Sequence, residues 1–177
     1  MTRRRKGGGR PMDFAAVPVL VLFLAVALLG GCGGESPRLA KGEPTPSFDL
    51  AALSGNRVAF PADFAGEVVA VRFWADWCPF CEGEMRAIEP VYRKHRGQKL
   101  RILAVNVRQD RATAAAFVEP LGITYEVLLD EDGAVARAYG VSGLPTTFLI
   151  DRRGRLAARI LGESRPEVLD ALLGGLL

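Results

Sequence analysis

The chain has 177 residues, of which 49% are hydrophobic, 24% charged and 8% aromatic. That suits one globular domain and excludes both several packed domains and wholesale disorder. The net charge of +3 is concentrated at the start, where residues 1–31 hold Arg3, Arg4, Arg5, Lys6 and Arg10 against the single acid Asp13. The remainder carries 18 basic and 19 acidic side chains, so a nucleic-acid partner has no electrostatic support.

The basic start leads into an apolar run from Ala15 to Leu29, interrupted only by Pro18. Positive residues, a short apolar stretch and then small residues form the pattern of an export signal, here residues 1–31. As a helix this run would reach about 22 Å at about 1.5 Å per residue, short of a hydrocarbon core about 30 Å thick. A retained anchor would need to recruit Gly30 and Gly31, with the basic flank on the cytoplasmic side. The arginine pair near the start lacks the apolar residues that follow a twin-arginine signal, and reads as plain leader charge.

Leu29-Gly30-Gly31-Cys32 resembles the lipobox of bacterial lipoproteins, with Gly30 the less usual residue. The resemblance implies lipidation of Cys32 and an extracytoplasmic protein, periplasm-facing in a Gram-negative cell, held to a membrane by its lipid. Residues 32–45, rich in Gly, Pro and charge, then read as the lipidated N-terminus and a flexible tether. Of three cysteines, this leaves Cys78 and Cys81. A domain relying on structural disulfides would spread several along the chain.

Residues 46–177 read as one domain in which strands and helices alternate. Phe48–Ala51 and Val58–Phe60 flank the turn signal Ser54-Gly55-Asn56, predicting a hairpin. Residues 68–74, VVAVRFW, form a continuous β-branched run suited to a buried central strand. Pro79 opens a predicted helix to about Lys94, with Met85, Ile88 and Tyr92 at helical spacing. A second core strand spans Leu100–Val107, and an Ala-rich helix spans Arg111–Leu121 with Gly122 at its stop. Tyr125–Leu129 reads as a strand and Ala134–Tyr139 as a brief helix. Thr146–Ile150 and Leu156–Ile160 flank the turn Asp151-Arg152-Arg153-Gly154, and Pro166–Leu173 closes with a helix. The expected architecture is a three-layer α/β sandwich: a mixed central sheet flanked by helices, with an N-terminal β-hairpin extension.

The chemistry is concentrated in Trp74-Ala75-Asp76-Trp77-Cys78-Pro79-Phe80-Cys81, where the central strand hands over to a helix. A thiolate is the nucleophile in disulfide exchange, and a helix N-terminus supplies partial positive charge and unpaired N–H donors that favour it. Two intervening residues allow the sulfurs to close a ring, so Cys81 can release a mixed disulfide formed on Cys78. A zinc site would need further ligands, and the only histidine, His95, sits among Arg93, Lys94 and Arg96 at the cationic end of the helix.

Together with Gly143-Leu144-Pro145-Thr146-Thr147-Phe148-Leu149-Ile150-Asp151, this segment resembles the thioredoxin superfamily, and within it the membrane-tethered TlpA/ResA-like thiol–disulfide oxidoreductases. The resemblance runs from about Pro46 to the C-terminus. It implies a thioredoxin-like fold, a redox-active Cys78–Cys81 disulfide as the sole redox group, and a cis Pro145 facing the pair. Trp77, Pro79, Phe80, Leu144 and Pro145 are the implied substrate-contacting residues. Glu84 matches an acidic position that moves protons in the subgroup, and i+3 spacing puts it on the face of Cys81. The implied reaction is reduction of an oxidised protein, apocytochrome c among the candidates, with electrons drawn from an integral-membrane thiol donor.

Arg72 departs from the pattern, since thioredoxin-like chains tend to carry Asp or Asn there. A desolvated arginine on a central strand needs a partner: either it reaches Glu84 or the active-site backbone and helps hold Cys78 as thiolate, or its stem lies under the sheet edge while its head reaches water. Two rival classes share features with this reading. A thiol peroxidase of the same fold would present a lone reactive cysteine on a Thr-rich loop. A Sco-like copper-binding protein would pair CxxxC with a distant histidine, whereas this chain has CxxC and no histidine after position 95.

Overall fold

The structure, a computed structural model, describes residues 39–177. The expected signal peptide, the lipidation site Cys32 and the first part of the tether lie outside the described residues. Among those described, no helix is long and apolar enough to cross a membrane.

Seven strands form one mixed sheet in the order β2-β1-β5-β4-β3-β6-β7. They are β1 (Phe48–Ala52), β2 (Arg57–Phe60), β3 (Val68–Trp74), β4 (Leu100–Val107), β5 (Glu126–Asp130), β6 (Thr146–Ile150) and β7 (Leu156–Leu161). The three middle strands β3, β4 and β5 run parallel, while β6 and β1 join them antiparallel on either side. The predicted hairpin is present, with Phe48 opposite Phe60, and through Ala51 opposite Leu129 it continues the sheet.

Every residue of β3 is buried, as its β-branched run requires, because helices cover both faces of the sheet. Alternation divides its side chains. Val68, Ala70 and Trp74 point into one core with Met85 and Ile88 of α1 (Cys81–His95) and Leu169 and Leu173 of α4 (Pro166–Gly174). Val69, Val71 and Phe73 point into the other, where Tyr139 and Phe148 meet edge-on with centroids 5.1 Å apart. The remaining helices are α2 (Arg111–Val118) and α3 (Ala134–Ala138).

The predicted elements are found, with shifts at their ends. The helix expected to open at Pro79 begins at Cys81, because Pro79 and Phe80 form the turn that carries the Cys81 N–H back to the Cys78 carbonyl at 3.1 Å. Pro90 lies inside α1, which continues across it although proline removes a helix hydrogen bond. The second helix stops at Val118, and a tight 3-10 turn reaches the left-handed Gly122. The far end of the expected tether is fixed to the domain. Gly42 donates to Leu156, Thr45 to Gly154, and Glu43 accepts from Leu156, so ordered chain begins before Pro46.

Candidate active site

β3 ends at Trp74, buried and stacked on Phe117 with ring centroids 5.0 Å apart. From there the chain turns, with the Cys78 N–H donating to the Ala75 carbonyl at 3.2 Å. Cys78 and Cys81 form a disulfide with their Cα atoms 5.4 Å apart. Both are buried, with Cys78 2% exposed. Their neighbours are not: Trp77 is 68% exposed and Phe80 55%. Two aromatic side chains thus rise beside a sulfur pair set just below the surface. Phe80, the N-cap residue of α1, gives the helix no side-chain cap, and neither Glu82 nor Gly83 has a backbone acceptor for its N–H among the described residues. The helix field therefore remains directed at the cysteine turn.

The Leu144–Pro145 bond is cis. Pro145 is buried and its carbonyl is taken by the Gly162 N–H at 2.9 Å, which fixes the loop to the start of the β7–α4 connection. Leu144 is half-buried and packs against both cores, while its own N–H and C=O have no backbone partner among the described residues. An extended peptide can pair with such groups as an added strand does. Pro79 is exposed at the turn. The second cis bond, Phe60–Pro61, had no signal in the sequence beyond the proline itself.

Arg72 shares the β3 face of Ala70 and Trp74 and points toward α1, with its side chain 1% exposed. Its Nη1 donates to Glu84 Oε1 at 2.7 Å and to Thr147 Oγ1, across the β3–β6 pairing, at 3.3 Å. The same carboxylate oxygen accepts from the Ser164 hydroxyl at 2.7 Å and the Ser164 N–H at 3.1 Å. Glu84 Oε2 and Arg72 Nε and Nη2 have no hydrogen-bond partner among the described residues. The expected Arg72–Glu84 contact is therefore present as a fully buried ion pair one turn beyond Cys81. The Glu84 carboxylate is thereby balanced by the Arg72 guanidinium instead of standing as a lone buried charge. Ser164 and Thr147 complete the network and were not singled out in the sequence, where isolated hydroxyl residues carry no positional signal.

Three other polar features frame the site. Gln109 joins the ends of β3 and β4 by accepting from the Asp76 N–H at 3.0 Å and from Asn106 Nδ2 at 2.9 Å. The Tyr125 hydroxyl donates to the Met85 carbonyl at 2.8 Å, and burial pushes its ionisation far up. His95 pairs through Nε2 with Asp170 Oδ1 at 2.5 Å, joining α1 to α4. At about 1.5 Å of rise per residue it stands about 21 Å along α1 from Cys81.

A thioredoxin-like sheet with a buried CxxC disulfide at a helix start and a cis-proline loop defines a thiol–disulfide oxidoreductase. Comparisons with known proteins agree. The model of the AhpC/TSA family matches residues 41–159. The thiol–disulfide oxidoreductase ResA of Geobacillus thermodenitrificans is 35% identical over 153 residues, spanning 84% of this chain and 87% of that one. ResA of Bacillus subtilis is 31% identical over 144 residues, covering 81% and 80%. Among solved structures, a DsbE-type thiol:disulfide interchange protein from Chlorobium tepidum superposes with a TM-score of 0.74 at 31% identity, covering 78% of this chain and 98% of that one. The chain belongs to the AhpC/TSA family and, within it, to the ResA-like thiol–disulfide oxidoreductases.

Proposed function

We propose that the protein works reductively on disulfides of exported proteins while tethered to the outer side of a membrane by lipid on Cys32. The observation that carries this reading is the shielded Cys78–Cys81 pair, set between exposed Trp77 and Phe80 and served by the cis-Pro145 loop. In the reduced protein the Cys78 thiolate attacks one sulfur of the substrate disulfide, and the other substrate sulfur leaves as a thiolate that takes up a proton. Cys81 then attacks the Cys78 sulfur, releasing the second substrate thiol and leaving the enzyme disulfide. Two electrons have passed from the dithiol to the substrate.

An integral-membrane thiol donor must return two electrons and two protons, because an oxidising compartment does not keep a dithiol reduced. Glu84 takes part in the proton movements through Oε2, the carboxylate oxygen that has no hydrogen-bond partner among the described residues. Apocytochrome c is the candidate substrate, and the disulfide is the only redox group required. The tether would run from Cys32 to the segment around Gly42 that is hydrogen-bonded to Gly154 and Leu156.

The test is a trap. Cys81→Ser expressed in cells should accumulate a mixed disulfide on Cys78, and the captured protein identifies the substrate. Insulin reduction driven by dithiothreitol should vanish in Cys78→Ser. Hydrogen peroxide turnover as fast as insulin reduction would instead favour the peroxidase class. Copper binding by the reduced protein would favour the Sco-like class, against which His95 is remote from the sulfurs and engaged with Asp170. Cys32→Ala should release the protein from the membrane fraction; retention there would remove the lipid tether from the proposal.

A further inference from the structure

A cleft of about 440 Å³ opens beside the cysteine turn, and Trp77, Leu144, Arg108 and Arg137 are among the residues that line it. No acidic side chain lines it. Carboxylates close by in the chain are engaged elsewhere: Asp76 accepts from the Gln109 side chain, Asp130 from the Val135 and Ala136 N–H groups, and Asp132 from the Ala134 N–H.

Arg108 holds its place against two local preferences. Its φ is +57°, a left-handed backbone that side-chain-bearing residues avoid. Its stem also lies so close over Gly133 that a Cβ there would sit 2.6 Å from Arg108 Nε. That position is the N-terminal end of α3, where a cation gains nothing from the helix. The guanidinium donates no hydrogen bond among the described residues, and Arg137 commits only Nη1, to the Asp132 carbonyl. Two exposed guanidiniums with uncommitted donors at the rim of a reactive site, one of them on a left-handed backbone, complement an anionic group on a docking partner.

We propose that this cleft is a substrate subsite selecting proteins whose reactive disulfide is flanked by an apolar residue and a nearby carboxylate. The apolar residue packs on Trp77 and Leu144, and the Asp or Glu meets Arg108 and Arg137. The inference rests on the disulfide-reducing function proposed above and names the chemistry of its substrate.

The test uses the reduced protein and three peptides identical except at the positions flanking a Leu-Cys step, which carry Glu, Gln or Lys. Each cysteine is blocked as a methyl disulfide, so attack on the peptide sulfur expels the same methanethiolate from every peptide, which then takes up a proton. The second-order rate constant should be about three- to tenfold higher for the Glu peptide than for the Gln peptide, the scale of two partly exposed ion pairs. Added salt should shrink the ratio, and the Lys peptide should be slowest. In Arg108→Asn/Arg137→Gln the ratio of the Glu to the Gln peptide, both measured on the variant, should fall to about one; asparagine tolerates the left-handed backbone. Arg96→Gln removes one charge at the far end of α1 and should preserve the ratio. A ratio near one in the wild type, or one that survives in the double variant, overturns the inference and leaves the reductase standing. Equal loss in Arg96→Gln also overturns it, by assigning the preference to overall charge. Failure of the reduced protein to react with any peptide overturns the reductive function and this inference with it.

Discussion

The buried Arg72–Glu84 pair allows a quantitative test of how the site is held together. In Arg72→Met the Glu84 carboxylate keeps its two Ser164 donors but loses its only cationic partner in a place closed to water. Breaking one side of a buried ion pair costs about 3–5 kcal/mol, a large part of a domain stability of about 5–15 kcal/mol. Glu84→Met strands the Arg72 guanidinium, which retains only Thr147, and should cost a similar amount. In Arg72→Met/Glu84→Met both charges are gone. The residual loss is then three polar groups left unpaired, the Ser164 N–H and the Ser164 and Thr147 hydroxyls, about 1–3 kcal/mol each at most, offset by apolar burial that has made such replacements neutral or stabilising elsewhere. The double variant should therefore lie within about 2 kcal/mol of wild type, giving a coupling energy above about 3 kcal/mol. Urea unfolding of the oxidised proteins, followed by tryptophan fluorescence, measures all four corners of the cycle, with m-values checked for constancy. Single losses below about 1 kcal/mol that simply add in the double variant would refute this reasoning.

Other expectations are more local. Iodoacetamide labelling of reduced Cys78 against pH should show its midpoint moving upward in Arg72→Met, since Glu84 then stands unneutralised near the sulfur; an unmoved midpoint removes Arg72 from thiolate stabilisation. Asp170 is held below the usual carboxylate range by the hydrogen bond from Lys94 and then that from His95. A lowered folded-state value means its contribution is present above the unfolded value near 3.8 and is lost as pH falls through the lower folded one. Acid titration of Asp170→Asn should therefore show a flatter stability profile below about pH 4 than wild type, and superimposable profiles would count against this contact. Tyr139→Phe removes the hydroxyl that donates to the Pro46 carbonyl at 2.8 Å, so its thermal unfolding should report a loss of about 1 kcal/mol; no loss would mean that the N-terminal segment is held by its other contacts alone.

The sequence by itself determined the elements and the reactive centre. The VVAVRFW run could only be a strand buried on both faces, the spacing of Met85, Ile88 and Tyr92 required a helix, and two residues between Cys78 and Cys81 sufficed for a closable pair. These are local statements, fixed by periodicity and by short covalent reach. Only the tertiary structure decided which residues complete the site. Ser164 lies 80 residues from Glu84 and Thr147 lies 75 from Arg72, and no local pattern marks a hydroxyl that will be folded onto a buried charge. The same holds for Arg108, whose left-handed backbone and seat over Gly133 arise where the ends of β4 and β5 are drawn together by parallel pairing. A strand or helix repeats with a period that a linear chain displays, whereas a polar network is a property of packing and exists only once distant segments have excluded water between them.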